Sequence, residues 1–474
     1  MISSTIDRMV SRGAGGAKSP RSCDPGYTCP PMAIADRYGL EVTTSSAVAA
    51  GRFQEGMDRL LSYGAGAEES FSAALEADPG LAVAHSGIAL LAVLQGDAAT
   101  ARAAAARARE TVAGATRRER QHVEALSALI AGETARGLAL VDEHVTEFPR
   151  DAVLVNQAGN AIALAGRSDR EEHRVAFIER LAPAYGDDWW FQSALAFAYH
   201  EVDRFEESRR LSERSLQQFP RNANAAHNLA HISFETLDSE AGAAFLEGWM
   251  AGYDRRASFH CHLAWHMAMF DLHRGRYAHA LEIFERDILG SVNPRSTMTD
   301  GTALLWRFRL DGGQDQPPAW RALADLAGRV SRPGFLFGEA HAALAYAACG
   351  DEAALARLID GLRALDAKGH PIAGKVALPL VQGTAAFAAG DHAGALGYFE
   401  PVEGEMHRIG GSHAQWEIFE ETMVACYLSL ERYDDAIHLV RRRLQRRASP
   451  RDLGWLDRAS AGLAAQQGTP GESR

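Results

Sequence analysis

From Ala33 to about Arg446, apolar residues recur every three to four positions, the spacing of an amphipathic helix. Gly, Pro and Asp break the pattern at roughly one-helix intervals, and runs of β-branched residues are scarce. The pattern predicts an all-α chain with almost no sheet. Its helices come in pairs. In AEESFSAALEADPGLAVAHSGIALLAVLQGD (67–97), Phe71 and Ala74 face a neighbour, Asp78-Pro79 ends one helix, and Ala84 and Gly87 open the next. In WWFQSALAFAYHEVDRFEESRRLSERSLQQFP (189–220), Ala196 and Tyr199 lie on the first helix, Asp203-Arg204-Phe205 turns, and Pro220 ends the second.

These units are close to the tetratricopeptide period of about 34 residues. Further units are predicted at Asn222–Met250, Ala257–Asp287, Phe335–Leu365, Leu378–Met406 and Ala414–Arg443. One helix pair cannot bury its apolar face alone, so the pairs are expected to stack into a right-handed superhelix with a concave groove. The Pro- and Gly-containing interval Asp311–Pro318 is the plainest break. It divides a helical half at 32–310, with a His-rich centre, from repeats at 311–447, followed by a helix and tail at 448–474. Residues 1–31 are rich in Gly, Ser, Pro and Arg and lack an apolar h-region, so they predict a disordered tail rather than a secretory signal. Met32, just before the first patterned segment, is a candidate start of translation. GAGGAKS at Gly13–Ser19 lacks both the glycine before its lysine and a preceding strand, so it is not a phosphate loop.

The phrases DDWWFQSALAFAYHEVDRFEES, NAAHNLAHISFE, FHCHLAWHMAMFDLHRGRYAHALEIF and RIGGSHAQWEIF resemble the tetratricopeptide repeat protein 38 family, which has bacterial members. The likeness runs from about Ala33 to about Arg446. It implies a helical repeat fold and names no reaction.

Composition narrows the function. The 474 residues carry 49 basic and 61 acidic side chains, a net charge of -12, which disfavours nucleic acid as a partner. The basic run Arg441-Arg442-Arg443, with Arg446 and Arg447, reads as a solvated helix end. No apolar stretch approaches the roughly 20 residues of a membrane span. The five cysteines, Cys23, Cys29, Cys261, Cys349 and Cys426, form no CxxC pair. Without a disulfide framework, a reducing cytoplasm is the expected compartment.

The chemistry lies in histidine spacing. Seven of the 18 histidines (227, 231, 260, 262, 266, 273 and 279) fall within 53 residues, where average density would place about two. His227 and His231 are four apart on one helix face, and Glu235 continues the stripe. His262 and His266 repeat the pair 35 residues later, about one tetratricopeptide period. Four imidazoles are therefore expected on neighbouring inner helices, where they can hold a divalent transition metal, Zn or Fe. His260 points to another face, and His273 and His279 flank a turn and are expected to be exposed. Asp254 and Asp271 are candidates to orient a ligand histidine.

Glu235 and His413 are candidate catalytic groups. Arg307, His341, Ser412 and Gln415 are candidate substrate contacts. Ser412 and Gln415 also spell a capping box, and Arg307 can instead anchor Asp300 or Asp311. Trp189 and Trp190 are expected to plug the core. One functional reading is a metal-dependent enzyme, hydrolysis being the expected reaction, acting on a small molecule. The alternatives are a scaffold that clasps a peptide in its groove, and histidines that merely pack.

Overall fold

The computed structural model describes residues 34–313 and 316–468. The predicted tail at 1–31, the Gly13–Ser19 phrase and Met32 lie outside the described residues. Within them the chain is all-α. The sole departure is a two-residue antiparallel pairing of Ile34–Ala35 with Glu41–Val42.

Helices pack as antiparallel neighbours along the chain: Ala47–Leu61 with Ala67–Ala77, Ala82–Gln95 with Ala98–Thr111, Trp189–His200 with Phe205–Gln218, and Tyr433–Arg446 with Pro450–Gly468. The predicted units from Asn222, Ala257, Phe335, Leu378 and Ala414 each become such a pair. Small residues let the paired helices approach. A Cβ at Gly56 or Gly87 would lie 2.6 or 2.7 Å from the Phe71 ring, so these two glycines hold Phe71 between three helices. Trp189 and Trp190 are buried at 8% and 1% exposure, as expected of core plugs. One apolar core runs from Tyr38 to Leu195 and a second from Ala223 to Ala459.

The array folds back on its centre. The Ala223 N–H donates to Ser62 O at 3.1 Å, and the Tyr253 hydroxyl donates to Tyr63 O, so the first helix pair caps the middle of the chain. Arg170 Nη2 donates to Gly411 O at 2.6 Å, and Arg408 Nε donates to Gly166 O at 2.8 Å. These bonds bring the C-terminal repeats over the same centre. No helix among the described residues is long and apolar enough to cross a membrane.

Candidate metal centre

Helix Ala223–Glu235 begins where Pro220 stops the preceding helix and the Asn222 side chain accepts from the Asn224 N–H at 3.1 Å. Helix His260–His273 runs beside it through the middle of the second core. All but one of its residues are buried, so it has no solvent face. Six histidines lie on these two helices, and four of them converge.

The ligand atoms of His227, His231, His262 and His266 all lie within 4.8 Å of one another. Five of the six ring pairs have centroids 4.3 to 5.0 Å apart. His227 Nε2 and His262 Nε2 are 3.0 Å apart. With metal–nitrogen bonds of about 2.05 Å, that separation subtends about 94°, between octahedral and tetrahedral angles. The four side chains are buried at 4%, 1%, 8% and 0% exposure.

Hydrogen-bond accounting makes the cluster unusual. Both ring nitrogens of His231 and of His266, and Nδ1 of His227, are buried with no partner. A buried polar atom left unpaired costs about 1–3 kcal/mol, and one ion could take up one nitrogen of each ring. Burial first, and the neighbouring imidazoles next, push His227, His231 and His266 well below the ordinary histidine range. The three rings are neutral at pH 7 and keep the lone pairs that a metal needs.

Two carboxylates flank the cluster. His262 Nδ1 donates to Asp300 Oδ2 at 3.0 Å, which leaves Nε2 as the lone pair facing the other rings. Asp300 lies on the first helix of the next pair, Pro294–Leu310, and is 2% exposed. At the other end, His200 adds a fifth imidazole 4.8 Å from His231, and its Nδ1 is 3.0 Å from Glu201 Oε1. The residues expected to orient a ligand do not reach the cluster. Asp254 pairs with Arg256 and Asp271 with His279. The available signal for His200 was its place at the end of Trp189–His200, the first helix of the pair before His231's.

The other candidates gather in a second, ionic cluster. Arg447 Nη1 is 3.1 Å from Glu235 Oε2, and its Nη2 is 2.7 Å from Glu417 Oε2. Burial pushes the Glu235 carboxyl up, but Arg447, then His413 and Arg446, overrule it and hold the group well below the usual carboxylate range. Glu235 stands outside the four-histidine group and is an ion-paired anion. His413 Nδ1 lies 3.5 Å from both Glu235 and Glu417. Arg307 is fully buried; it reaches Glu421 Oε2 at 3.1 Å and donates to Ala414 O at 2.7 Å, not to Asp300 or Asp311. His341 Nδ1 donates to Phe337 O at 2.8 Å. Gln415 Oε1 accepts from the Ser412 N–H at 3.0 Å, closing the capping box, and its Nε2 is 3.4 Å from Asp300 Oδ1. Gln415 and Asp300 thus link the helix start at Ser412 to the His262 ring.

Two sequence expectations are corrected. His273 is buried at 6% exposure because its ring stacks on Phe234, with centroids 4.6 Å apart, inside the second core; His279 is exposed, as expected. The basic run is a solvated end only in part: Arg441, Arg442 and Arg446 are exposed, but two of its five arginines are not. Arg443 and Arg447 are buried at 7% and 4% because Glu235, Glu417, Glu420 and Asp452 wait for them inside the fold.

No family model matches the chain. Among solved structures, the chain is similar to a human IFIT1 dimer with m7Gppp-AAAA, at 13% identity and TM-score 0.39, over 81% of this chain and 89% of that one. It is also similar to yeast Tom70, at 12% identity and TM-score 0.29, over 88% of this chain and 96% of that one. At these scores the description of the fold rests on this chain's own paired helices.

Proposed function

We propose that the chain is a metalloprotein that holds one divalent transition-metal ion on His227, His231, His262 and His266 and uses it on a small molecule. The observation that carries this reading is the set of five buried ring nitrogens without a partner, drawn from three of the four rings. Packing histidines normally bond a carbonyl or carboxylate, as His341 does. A four-imidazole set suits Zn or Fe. Such an ion would supply Lewis acidity and, where its coordination expands beyond the four rings, a bound water ionised near neutral pH, the chemistry of hydrolysis; iron would open oxidative reactions instead. This chain's own contribution is to keep three rings neutral by burial, to fix the His262 tautomer through Asp300, and to exclude bulk water with Phe197, Phe259 and Trp265, which pack against the rings.

The scaffold reading has less support. Four side chains no more than 8% exposed offer little to a docked peptide. Metal analysis of freshly purified full-length chain tests the proposal. One Zn or Fe per chain is expected, lost in His231→Ala and His266→Ala with helicity intact. A chain that folds metal-free, takes up no Zn(II) or Fe(II), and is unchanged by chelator sinks the metal reading.

A further inference from the structure

Beside the histidine cluster lies a cation that the fold leaves without a close ion pair or hydrogen bond; the carboxylates of Glu171 and Glu201 act on it through space. Arg174, on helix Arg170–Glu179, is half-buried, and its guanidinium carbon stands 4.5 Å over the Phe197 ring. Among the described residues it makes no ion pair and no hydrogen bond. The other arginines near the centre behave differently. Arg170 is tied to Ala163 O, Gly411 O and Glu171, and Arg447 to two carboxylates.

The surroundings of Arg174 connect it to the centre. The ring of Phe197 has its centroid 5.5 Å from His227 and 5.9 Å from His231, which puts the guanidinium within about 10 Å of the ligand rings. Tyr63 and Asn156 lie on the same side. The Tyr63 phenol feels the charge of Arg174 and faces Asn156. Tyr63 stacks on Phe259 at 4.4 Å, and Phe259 meets His227 at 4.9 Å and His262 at 5.3 Å. Tyr63 takes this position with φ of 54°, a left-handed backbone that costs a tyrosine about 1 kcal/mol or more. Such strain is retained where surrounding structure demands it. An arginine, a phenol and a carboxamide therefore share one wall with His227 and His262.

We propose that Arg174, with Tyr63 and Asn156 beside it, binds the anionic group, carboxylate or phosphate, of the small molecule that reaches the four-histidine centre. Arginine presents a planar fork of N–H donors that matches either oxyanion, and a desolvated guanidinium binds an anion more strongly than one in water. Burial pulls Arg174 down from its ordinary range, with Glu171 and Glu201 opposing, and an incoming anion would relieve that cost. Stacking on Phe197 holds the fork ready and lowers the entropy lost on binding. The inference rests on the metal reading for what sits opposite the anion, but not for the anion site itself.

The experiment uses the full chain loaded with Co(II), whose visible spectrum reports the ligand sphere, and titrates inorganic phosphate and acetate in separate arms. Saturable binding of one of the two is expected. The arm that saturates names the anion class. Arg174→Ala should weaken that binding at least 10-fold, and Arg174→Lys by less, with the Co(II) content unchanged at one per chain. Equal anion affinity in wild type and Arg174→Ala, or no saturable binding in either arm, overturns the proposal and leaves the metal reading standing. If Co(II) does not bind, calorimetric titration of the metal-free chain with the same two anions decides. Loss of binding in Arg174→Ala then upholds the anion site while the metal reading fails; no difference overturns it.

Discussion

Replacing Asp300 by Asn separates an arranged metal centre from a chance gathering of imidazoles. The substitution keeps size and shape. It removes the charge that receives the His262 Nδ1 proton at 3.0 Å inside a site only 2% exposed. An amide oxygen can still accept that bond, so the ring keeps its place, but an uncharged partner makes Nε2 a weaker donor to a metal. Loss of such a partner typically costs 10- to 100-fold in metal affinity, or about 1.4–2.7 kcal/mol. The same change should not unfold the chain. The other contact of Asp300, Gln415 Nε2, is long at 3.4 Å, and removing a buried charge also removes its desolvation penalty.

Competition with a chelator for Zn(II) gives the affinity, and far-UV circular dichroism gives the helicity. The expected result is a 10- to 100-fold weaker dissociation constant with unchanged helicity. His262→Ala, which deletes the donor atom itself, should lose far more. A dissociation constant within twofold of wild type for Asp300→Asn would refute the reasoning, because it would mean that Nε2 of His262 is not a ligand or that Asp300 does not tune it.

Three further outcomes follow from the packing. Arg447→Met strands the buried carboxylates of Glu235 and Glu417, now 3.1 and 2.7 Å from the guanidinium, so urea unfolding should show a loss of about 3–5 kcal/mol; a loss below about 1 kcal/mol would show that the ion pairs do not hold the C-terminal repeats. Gly383→Ala puts a Cβ 2.6 Å from the Phe399 ring in the paired helix and should cost about 1–3 kcal/mol in the same assay, whereas Gly361→Ala, with open space around it, should not destabilise. His341 is held at about pKa 4 by burial against an unfolded value near 6.5, so the unfolded chain takes up a proton that the folded chain refuses; stability is complete above pH 6.5 and falls by about 3 kcal/mol as pH drops to 4. His341→Phe should flatten that part of the pH–stability curve, and an unchanged slope would remove His341 as its source.

The paired helices were legible because their cause is local. A 3.6-residue apolar period, a turn phrase and a small residue at the close approach all lie within one unit, and Gly87 against Phe71 follows from 67–97 alone. The four histidines were legible for a related reason. Four residues make one helix face and 35 residues make one repeat, so two short numbers place the rings together. Asp300 was harder. It stands 38 residues after His262, off the repeat spacing, in a threonine-rich stretch with nothing to mark it as a ligand's partner. His200 was hidden because it stands 31 residues before His231, short of the 35-residue offset that links the two histidine pairs.

The misread basic run points to a physical limit of reading repeats one at a time. Arg443 and Arg447 sit at the end of helix Tyr433–Arg446, where the helix dipole gives each a local reason to be, and Arg451 follows in the next helix. Their partners, Glu235, Glu417, Glu421 and Asp311, come from helices up to 212 residues away. No periodicity connects them. An open solenoid would leave such residues wet, and the local reading would have held. Here the array folds back on itself, so the last helices bring their cations against carboxylates of much earlier ones. The same return buries the histidine rings. A groove that closes turns solvated polar residues into desolvated ones. Those that find a counter-charge become a lock, as Arg447 does with Glu235. Those that find none within hydrogen-bond reach, His231 and His266 with both nitrogens unpaired and Arg174 stacked on Phe197, keep a polar group that a bound ligand could satisfy.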